Sequence, residues 1–262
     1  MDKRKQYQIK LDSHVHFYDN WDISLNQLLT SAYANLTLGN AALPVICLLD
    51  TGKEAISVTQ QLAKPMAGEW QKHIAELEPY SFWFKKQEKT ILVITGTQIN
   101  TIEGLEVLVI GNRGDVTHDM PIEILLEQQR DGLLNVIPWA AGKWLSKRGK
   151  ILTQLLKTMK PHQFVLGDNA GRPWLWTGIN QLEYAKTHNI PILCGSDPLP
   201  LHNHYLKSGT YGNLLNINMD TKRPWTSIIQ AIHHQTQSNQ FGHLSSIPSF
   251  VMNQLKLRLP SL

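Results

Sequence analysis

The sequence predicts a mixed α/β protein in which short buried strands alternate with helices around a closed or nearly closed barrel. Three observations predict it. Short apolar runs recur along the 262 residues, each followed by a longer amphipathic stretch; this is the pattern of a mainly parallel sheet with both faces covered. Seven or eight such units in this length suit a (β/α) barrel better than an open sheet. The glycine-rich fingerprint of dinucleotide sites and the glycine-lysine phosphate loop are both missing from the sequence, which counts against an open doubly wound sheet, the alternative architecture.

Taken in order, strands are expected at 7–13, 45–50, 90–95, 105–110, 133–138, 163–166, 190–194 and 212–217. Helices are expected at 23–35, 53–77, 121–130, 148–159, 175–188 and 225–235, with a last one at 249–257. Several carry start signals: Asp22 or Ser24 as an N-cap, Pro121 and Pro173 near a first turn. Between residues 80 and 110 two or three strands follow one another without a helix, which calls for a hairpin or an irregular crossover. No internal repeat, low-complexity tract or flexible linker interrupts the pattern, so residues 1–262 are expected to form one domain.

Composition narrows the function classes. A hydrophobic fraction of 42% with 18% charged residues is that of an ordinary globular protein. No apolar run is long enough to span a bilayer, and residues 1–10 are basic and polar without an apolar centre, so no secretory signal is expected and a cytoplasmic location follows. The net charge of +4 is small and scattered; on it no nucleic-acid partner is expected, although it suits a small anionic substrate. Cys47 and Cys194 both sit in apolar runs and read as reduced core thiols.

The first strand ends in Asp12-Ser13-His14-Val15-His16. Alternation along a strand points His14 and His16 the same way. At the C-terminal end of a barrel strand, where such enzymes place their chemistry, the two imidazoles can share one metal ion. That ion would polarise a substrate oxygen and lower the pKa of a bound water. The plainer reading is a pair of histidines hydrogen-bonded at a strand end. A second feature is Gly195-Ser196-Asp197-Pro198, after a late buried strand. Asp197 can serve there as a carboxylate ligand or as the base for a water, or simply as turn chemistry. His202 and His204 form a second His-x-His in a loop setting.

Two further strand ends carry polar groups. Gly167-Asp168-Asn169-Ala170-Gly171-Arg172-Pro173 places Asp168 or Asn169 toward the same cavity. Arg172, with the free amides of a helix start, is suited to an anion such as phosphate. Turn chemistry explains the same residues equally well. Gln98 follows one strand, and Glu103 and Glu106 precede the next, Glu106 lying closest to an apolar run. Lys143 and Arg148 follow Pro138-Trp139 at another strand end, where they can bind phosphate or carboxylate or form an exposed basic helix start; Trp139 and Trp144 read as a pocket wall or as core.

In this order the features resemble the polymerase and histidinol phosphatase (PHP) superfamily of metal-dependent phosphoesterases. Asp12, His14 and His16 match its opening Asp-x-His-x-His. Gly96-Thr97-Gln98-Ile99 matches its Gly-x-Glu element with Gln98 in the place of a metal-binding glutamate. Gly195-Ser196-Asp197 matches its closing element without the adjacent histidine, and Ile137-Pro138-Trp139 stands where a middle histidine is expected. The resemblance spans most of the chain and implies a distorted (β/α)7 TIM-like barrel. It implies a metal-dependent hydrolase acting on a phosphate ester, with a divalent ion (Zn, Mn or Fe) held by His14, His16, Asp197 and either Glu106 or Asp168. Asp197 then acts on the water, and Arg172 or Lys143 binds the anion. An amidohydrolase-type metallohydrolase and a PHP-like barrel that binds a ligand or partner without turnover are the competing readings.

Overall fold

The computed structural model describes residues 4–39, 41–51, 58–112, 118–128, 130–160, 162–234 and 239–259. Strand β1 (Lys5–Val15) is followed by a 3-10 turn (Asp19–Trp21), helix α1 (Leu25–Thr37) and strand β2 (Leu43–Asp50). A single turn, α2 (Val58–Gln61), precedes five strands: β3 (Met66–Ala67), β4 (Trp70–Ala75), β5 (Glu78–Lys86), β6 (Lys89–Asn100) and β7 (Glu106–Ile110). Then come α3 (Ile122–Glu127), β8 (Leu134–Pro138), α4 (Ser146–Thr158), β9 (Val165–Asn169), α5 (Asn180–Thr187) and β10 (Ile192–Gly195). A second 3-10 turn (His204–Lys207), β11 (Gly212–Met219), α6 (Pro224–His234), β12 (Asn239–Phe241) and α7 (Ile247–Arg258) complete the chain.

Nine strands join edge to edge in the order β10-β9-β8-β7-β6-β2-β1-β11-β12, with β5, β4 and β3 branching from β6. The sheet curls until β10 meets β1: Ser13 Oγ donates to the Cys194 carbonyl at 3.0 Å, and Asp197 N donates to the His14 carbonyl at 2.8 Å. The expected α/β class is therefore present, as a nearly closed, barrel-like sheet.

Its strands do not follow a uniform β/α repeat. β1, β2 and β6 run parallel, as do β8, β9 and β10, whereas β7 is antiparallel to both its neighbours and β11 to β1. β6 returns directly as β7 through a tight turn in which Gly104, at φ 78°, donates to the Thr101 carbonyl. The strands expected without a helix between residues 80 and 110 are thus the meander β5-β6-β7.

Alternation builds the core. Ile9, Leu11, Val45, Cys47, Leu92, Ile94, Leu108 and Val136 fill the barrel, while Ile46, Leu48, Ile91 and Val93 face outward beneath α1. Cys47 and Cys194 are buried free thiols. Helix α1 opens on a capping box in which Ser24 Oγ accepts from Gln27 N and Gln27 Oε1 accepts from Ser24 N, so Ser24 is the cap rather than Asp22. Among the described residues no helix is long and apolar enough to cross a membrane.

Two expected helices are corrected. Of the helix expected at 53–77, residues 53–57 lie outside the described residues; Val58–Gln61 is helical and the rest forms β3 and β4. β4 pairs with β5 from Gln71↔Lys85 to Ile74↔Phe82, so tertiary pairing overrides the local pattern. The helix expected at 175–188 begins only at Asn180, because Gly178 takes a left-handed φ of 66° and Pro173, bridged to Ser245, opens only an isolated turn closed by Trp176 N on its carbonyl.

Helix α6 closes one end of the barrel by sending Trp225, Ile228 and Ile232 into its interior. The β4–β5 hairpin fixes that plug through Glu78. This buried carboxylate accepts from Trp225 N and Thr226 N at 2.8 Å each, at the first turn of α6, and from Ser81 Oγ at 2.8 Å. A carboxylate at a helix N-terminus satisfies amides that have no partner within the helix. Glu78→Ala is expected to cost about 2–3 kcal/mol by chemical denaturation, since it leaves buried donors unpaired.

Candidate metal centre

The open end of the barrel gathers the polar strand ends. The register of β1 against β2 shifts between Asp12 and Val15, and the rings of His14, within this irregularity, and His16, just past it, turn to one point, their Nε2 atoms 2.8 Å apart. Asp197, just past β10, brings Oδ1 to 3.5 Å from His14 Nε2 and 3.8 Å from His16 Nε2. Ligand atoms of His14, His16 and Asp197 all lie within 4.8 Å of one another. Gln98 Oε1 joins them at 3.1 Å from His14 Nε2.

The surroundings prepare these atoms. His16 Nδ1 lies 3.1 Å from the Leu49 carbonyl, which can only accept, so the proton sits on Nδ1 and the Nε2 lone pair faces the centre. Burial pushes both imidazoles down to about 4, against the opposite pull of Glu106 and Gln98 on His14 and of Asp197 on His16. Both rings are therefore neutral near pH 7, the form that binds a metal. Burial raises the Asp197 carboxyl, while His16 pulls it back. Its Oδ2 is held by Asn169 Nδ2 at 2.9 Å, which also donates to the Trp139 carbonyl at 2.6 Å. Two neutral imidazoles, one carboxylate and an amide oxygen form a donor set suited to Zn, Mn or Fe, and outer hydrogen bonds aim two of the four, His16 and Asp197. The residues fit a divalent ion.

Beneath the centre, Asp12 fixes the backbone. Buried completely, it accepts from Ser196 N at 2.9 Å, Ser196 Oγ at 2.5 Å, Gly209 N at 2.7 Å and His14 N at 3.2 Å. One carboxylate thus ties β1 to the turn that carries Asp197, which itself sits at a left-handed φ of 44°. Burial raises the Asp12 carboxyl to about 7 against those four bonds.

The remaining expected residues divide into two groups. Glu106 lines the cavity beside the centre, because β7 runs antiparallel and begins at the end where β6 finishes; Lys143 Nζ pairs with it at 3.3 Å. Asp168 and Arg172 do not line that cavity. Their side chains meet in a two-pronged ion pair with both contacts at 2.7 Å, and Tyr211 adds a bond to Asp168 at 3.1 Å. Trp139 is a cavity wall, as is Asn169. His204 accepts from Leu199 N, away from the centre, and burial lowers it to about 4. Tyr18 and the α7 residues Phe250, Asn253 and Gln254 also line the cavity. Their approach carries no sequence motif; only the helix itself is visible as periodicity.

No known protein family matches the chain, and no curated protein does. Solved structures do. PsfC from Pseudomonas syringae PB-5123 aligns over 98% of this chain and 100% of its own, at 15% identity and a TM-score of 0.58. The lesion-specific endonuclease PfuEndoQ from Pyrococcus furiosus aligns over 89% of this chain at 12% identity and a TM-score of 0.55. Endonuclease Q in complex with a 27-mer duplex bearing an abasic lesion at its active site aligns over 87% at 13% identity and a TM-score of 0.53. Both endonuclease alignments span 57% of those longer chains. At these identities the likeness is one of fold. It overturns one expectation. The small, scattered charge surplus gives no reason to expect nucleic acid, yet two of these structures sharing the fold are endonucleases, one of them bound to duplex DNA.

Asp12→Asn would put an amide N–H₂ among four donors. The expected outcome is a loss of about 2–3 kcal/mol of stability by chemical denaturation, since buried donors lose their acceptor.

Proposed function

We propose that the protein is a divergent PHP-like metal-dependent hydrolase acting on phosphate esters. The convergence of His14, His16 and Asp197 carries this reading. These residues hold a divalent ion (Zn, Mn or Fe), and Glu106, across the cavity wall, is the further carboxylate within the same space. The ion supplies Lewis acidity and a water nucleophile near neutral pH. Asp197 Oδ1 takes the ligand or base role while Asn169 fixes its other oxygen. Lys143, paired with the cavity-lining Glu106, serves the anion. Arg172 and Asp168 position each other and brace the β9 end.

Seven strands, β1, β2, β6, β7, β8, β9 and β10, follow one another around the sheet in chain order. That order supports a distorted (β/α)7 barrel of PHP type with β3–β5 as an insertion, and one sheet throughout supports a single domain. The fold shared with endonucleases makes a phosphodiester in a nucleic-acid strand a substrate to test beside monoesters. A second reading, a barrel that binds its ligand without turnover, is favoured by Gln98, a neutral amide beside His14 where a carboxylate would add charge to the centre.

Purified without chelators, the protein is expected to carry about one equivalent of Zn, Mn or Fe by elemental analysis, and the His14→Ala, His16→Ala double variant none. A metal-free native protein that also fails to take up these ions contradicts the proposal. Asn169→Ala is expected to weaken metal affinity about 10–100-fold, the usual cost of losing an outer hydrogen bond to a ligand. Turnover on a panel of phosphomonoesters, phosphodiesters and DNA separates the hydrolase from the binding barrel.

A further inference from the structure

Helix α7 lies over the open end of the barrel and is held on one side only. Ser245 pins its start by donating from N and from Oγ to the Ala170 carbonyl at 2.8 Å each, and Phe250 packs against Trp176. Phe250, Asn253 and Gln254, at i, i+3 and i+4, form the inner face that walls the cavity. None of the 12 residues of the helix is buried. A helix of this length is marginal alone in water and depends on packing for its stability.

The outer face is apolar. Ile247, Val251, Met252 and Leu255 fall within an arc of about 140° on the helix, and each is between 41 and 52% exposed. Beside the first turn, Trp174 donates its backbone N–H to the Ser245 carbonyl at 3.0 Å while the residue stays 55% exposed. A run of large apolar side chains left in water marks a surface that meets a partner or a membrane.

The charges on this helix are of one sign. No Asp or Glu follows Asp220 in the chain, so the charged side chains of α7 are Lys256 and Arg258. Lys256 stands four residues after Met252 and Arg258 three after Leu255, so both adjoin the apolar arc. Neither has a carboxylate partner among the described residues. Lys207, from the second 3-10 turn, adds a further cation, since it and Lys256 both act on His204.

These features separate the surfaces that could cover the helix. A second copy packed antiparallel would set Lys256 and Arg258 against the positive N-terminal end of its own α7, with no carboxylate there to meet them. A nucleic-acid strand offers phosphates to the cations but leaves the apolar arc in water. An anionic bilayer satisfies both: headgroup phosphates take the cations, and the acyl boundary takes the aliphatic chains and Trp174. At about 18 Å the helix is too short to cross the hydrocarbon core, so it would lie along the interface.

We propose that the outer face of α7, with Trp174, docks the protein on a membrane surface rich in anionic phospholipid, the open end of the barrel turned toward the headgroups. This goes beyond phosphoester hydrolysis and does not depend on the metal centre.

The test is co-sedimentation with vesicles of phosphatidylcholine alone and of phosphatidylcholine mixed with phosphatidylglycerol. The native protein is expected to bind the mixed vesicles at least about tenfold more tightly than the neutral ones, and to release as salt is added. Val251→Gln with Leu255→Gln, which keeps good helix formers in place, is expected to abolish binding. Lys256→Gln with Arg258→Gln is expected to weaken binding to the mixed vesicles about 20-fold, each cation near the surface contributing a factor of about five. Absence of binding to the mixed vesicles overturns the proposal, as does binding that survives Val251→Gln with Leu255→Gln. A dimer in sedimentation equilibrium that the same pair of substitutions dissolves, without vesicle binding, assigns the face to a second copy and overturns the proposal. Binding to duplex DNA but not to vesicles assigns the cations to nucleic acid and overturns it too.

Discussion

A Cβ added at Gly195 would stand 2.4 Å from that of His14. The last barrel strand therefore lies against the first more closely than any side chain would allow, and this approach brings Asp197 to the two histidines. Asp12 holds the seam with four accepted hydrogen bonds, two of them from Ser196. The Asp197 N–H to His14 carbonyl bond continues it. A candidate centre with ligands 183 residues apart in sequence depends on this seam, because neither β1 nor β10 alone could fix the distance between its ligands.

The two ends of the barrel divide the work. At the closed end Trp225 is driven into the interior and the Glu78 carboxylate caps the helix that carries it, so stability is concentrated there. At the open end the structure accepts costs that a purely structural core would not carry: two neutral imidazoles in contact, a carboxylate at positive φ and an amide oxygen without a donor. Such departures from local consistency concentrate at functional sites. Asp168 and Arg172 show the contrast. They look equally functional as a motif, but each neutralises the other and neither faces the cavity.

Much of this was legible in the sequence. The strands containing His14 and leading to Asp197 are short buried runs with polar ends, and barrel logic places such ends together. The run of strands between residues 80 and 110 was legible too, but the β3–β4 and β4–β5 hairpins before it were not. Ala67, Trp70, Ile74 and Leu77 fall at helical spacing, yet Ile74 and Leu77 are about half exposed in the structure and Trp70 is buried by pairing within the sheet. Hairpin pairing with β5, which is itself joined to the sheet through β6, decided that segment, and the helical spacing does not record it. Nor does sequence reveal that Lys143 meets Glu106, that Arg172 is consumed by Asp168, or that one face of α7 walls the cavity. These facts depend on where elements dock. The charge argument against nucleic acid failed for another reason: net charge averages over the surface and says nothing about a fold shared with endonucleases.

The central claim is the place of the ion. Crystals grown with Mn or Zn and measured at that metal's absorption edge are predicted to show an anomalous peak bonded to His14 Nε2, His16 Nε2 and Asp197 Oδ1, at about 2.0–2.2 Å for zinc. A fully loaded protein whose peak lies elsewhere, with these three side chains still hydrogen-bonded to one another, would contradict the account.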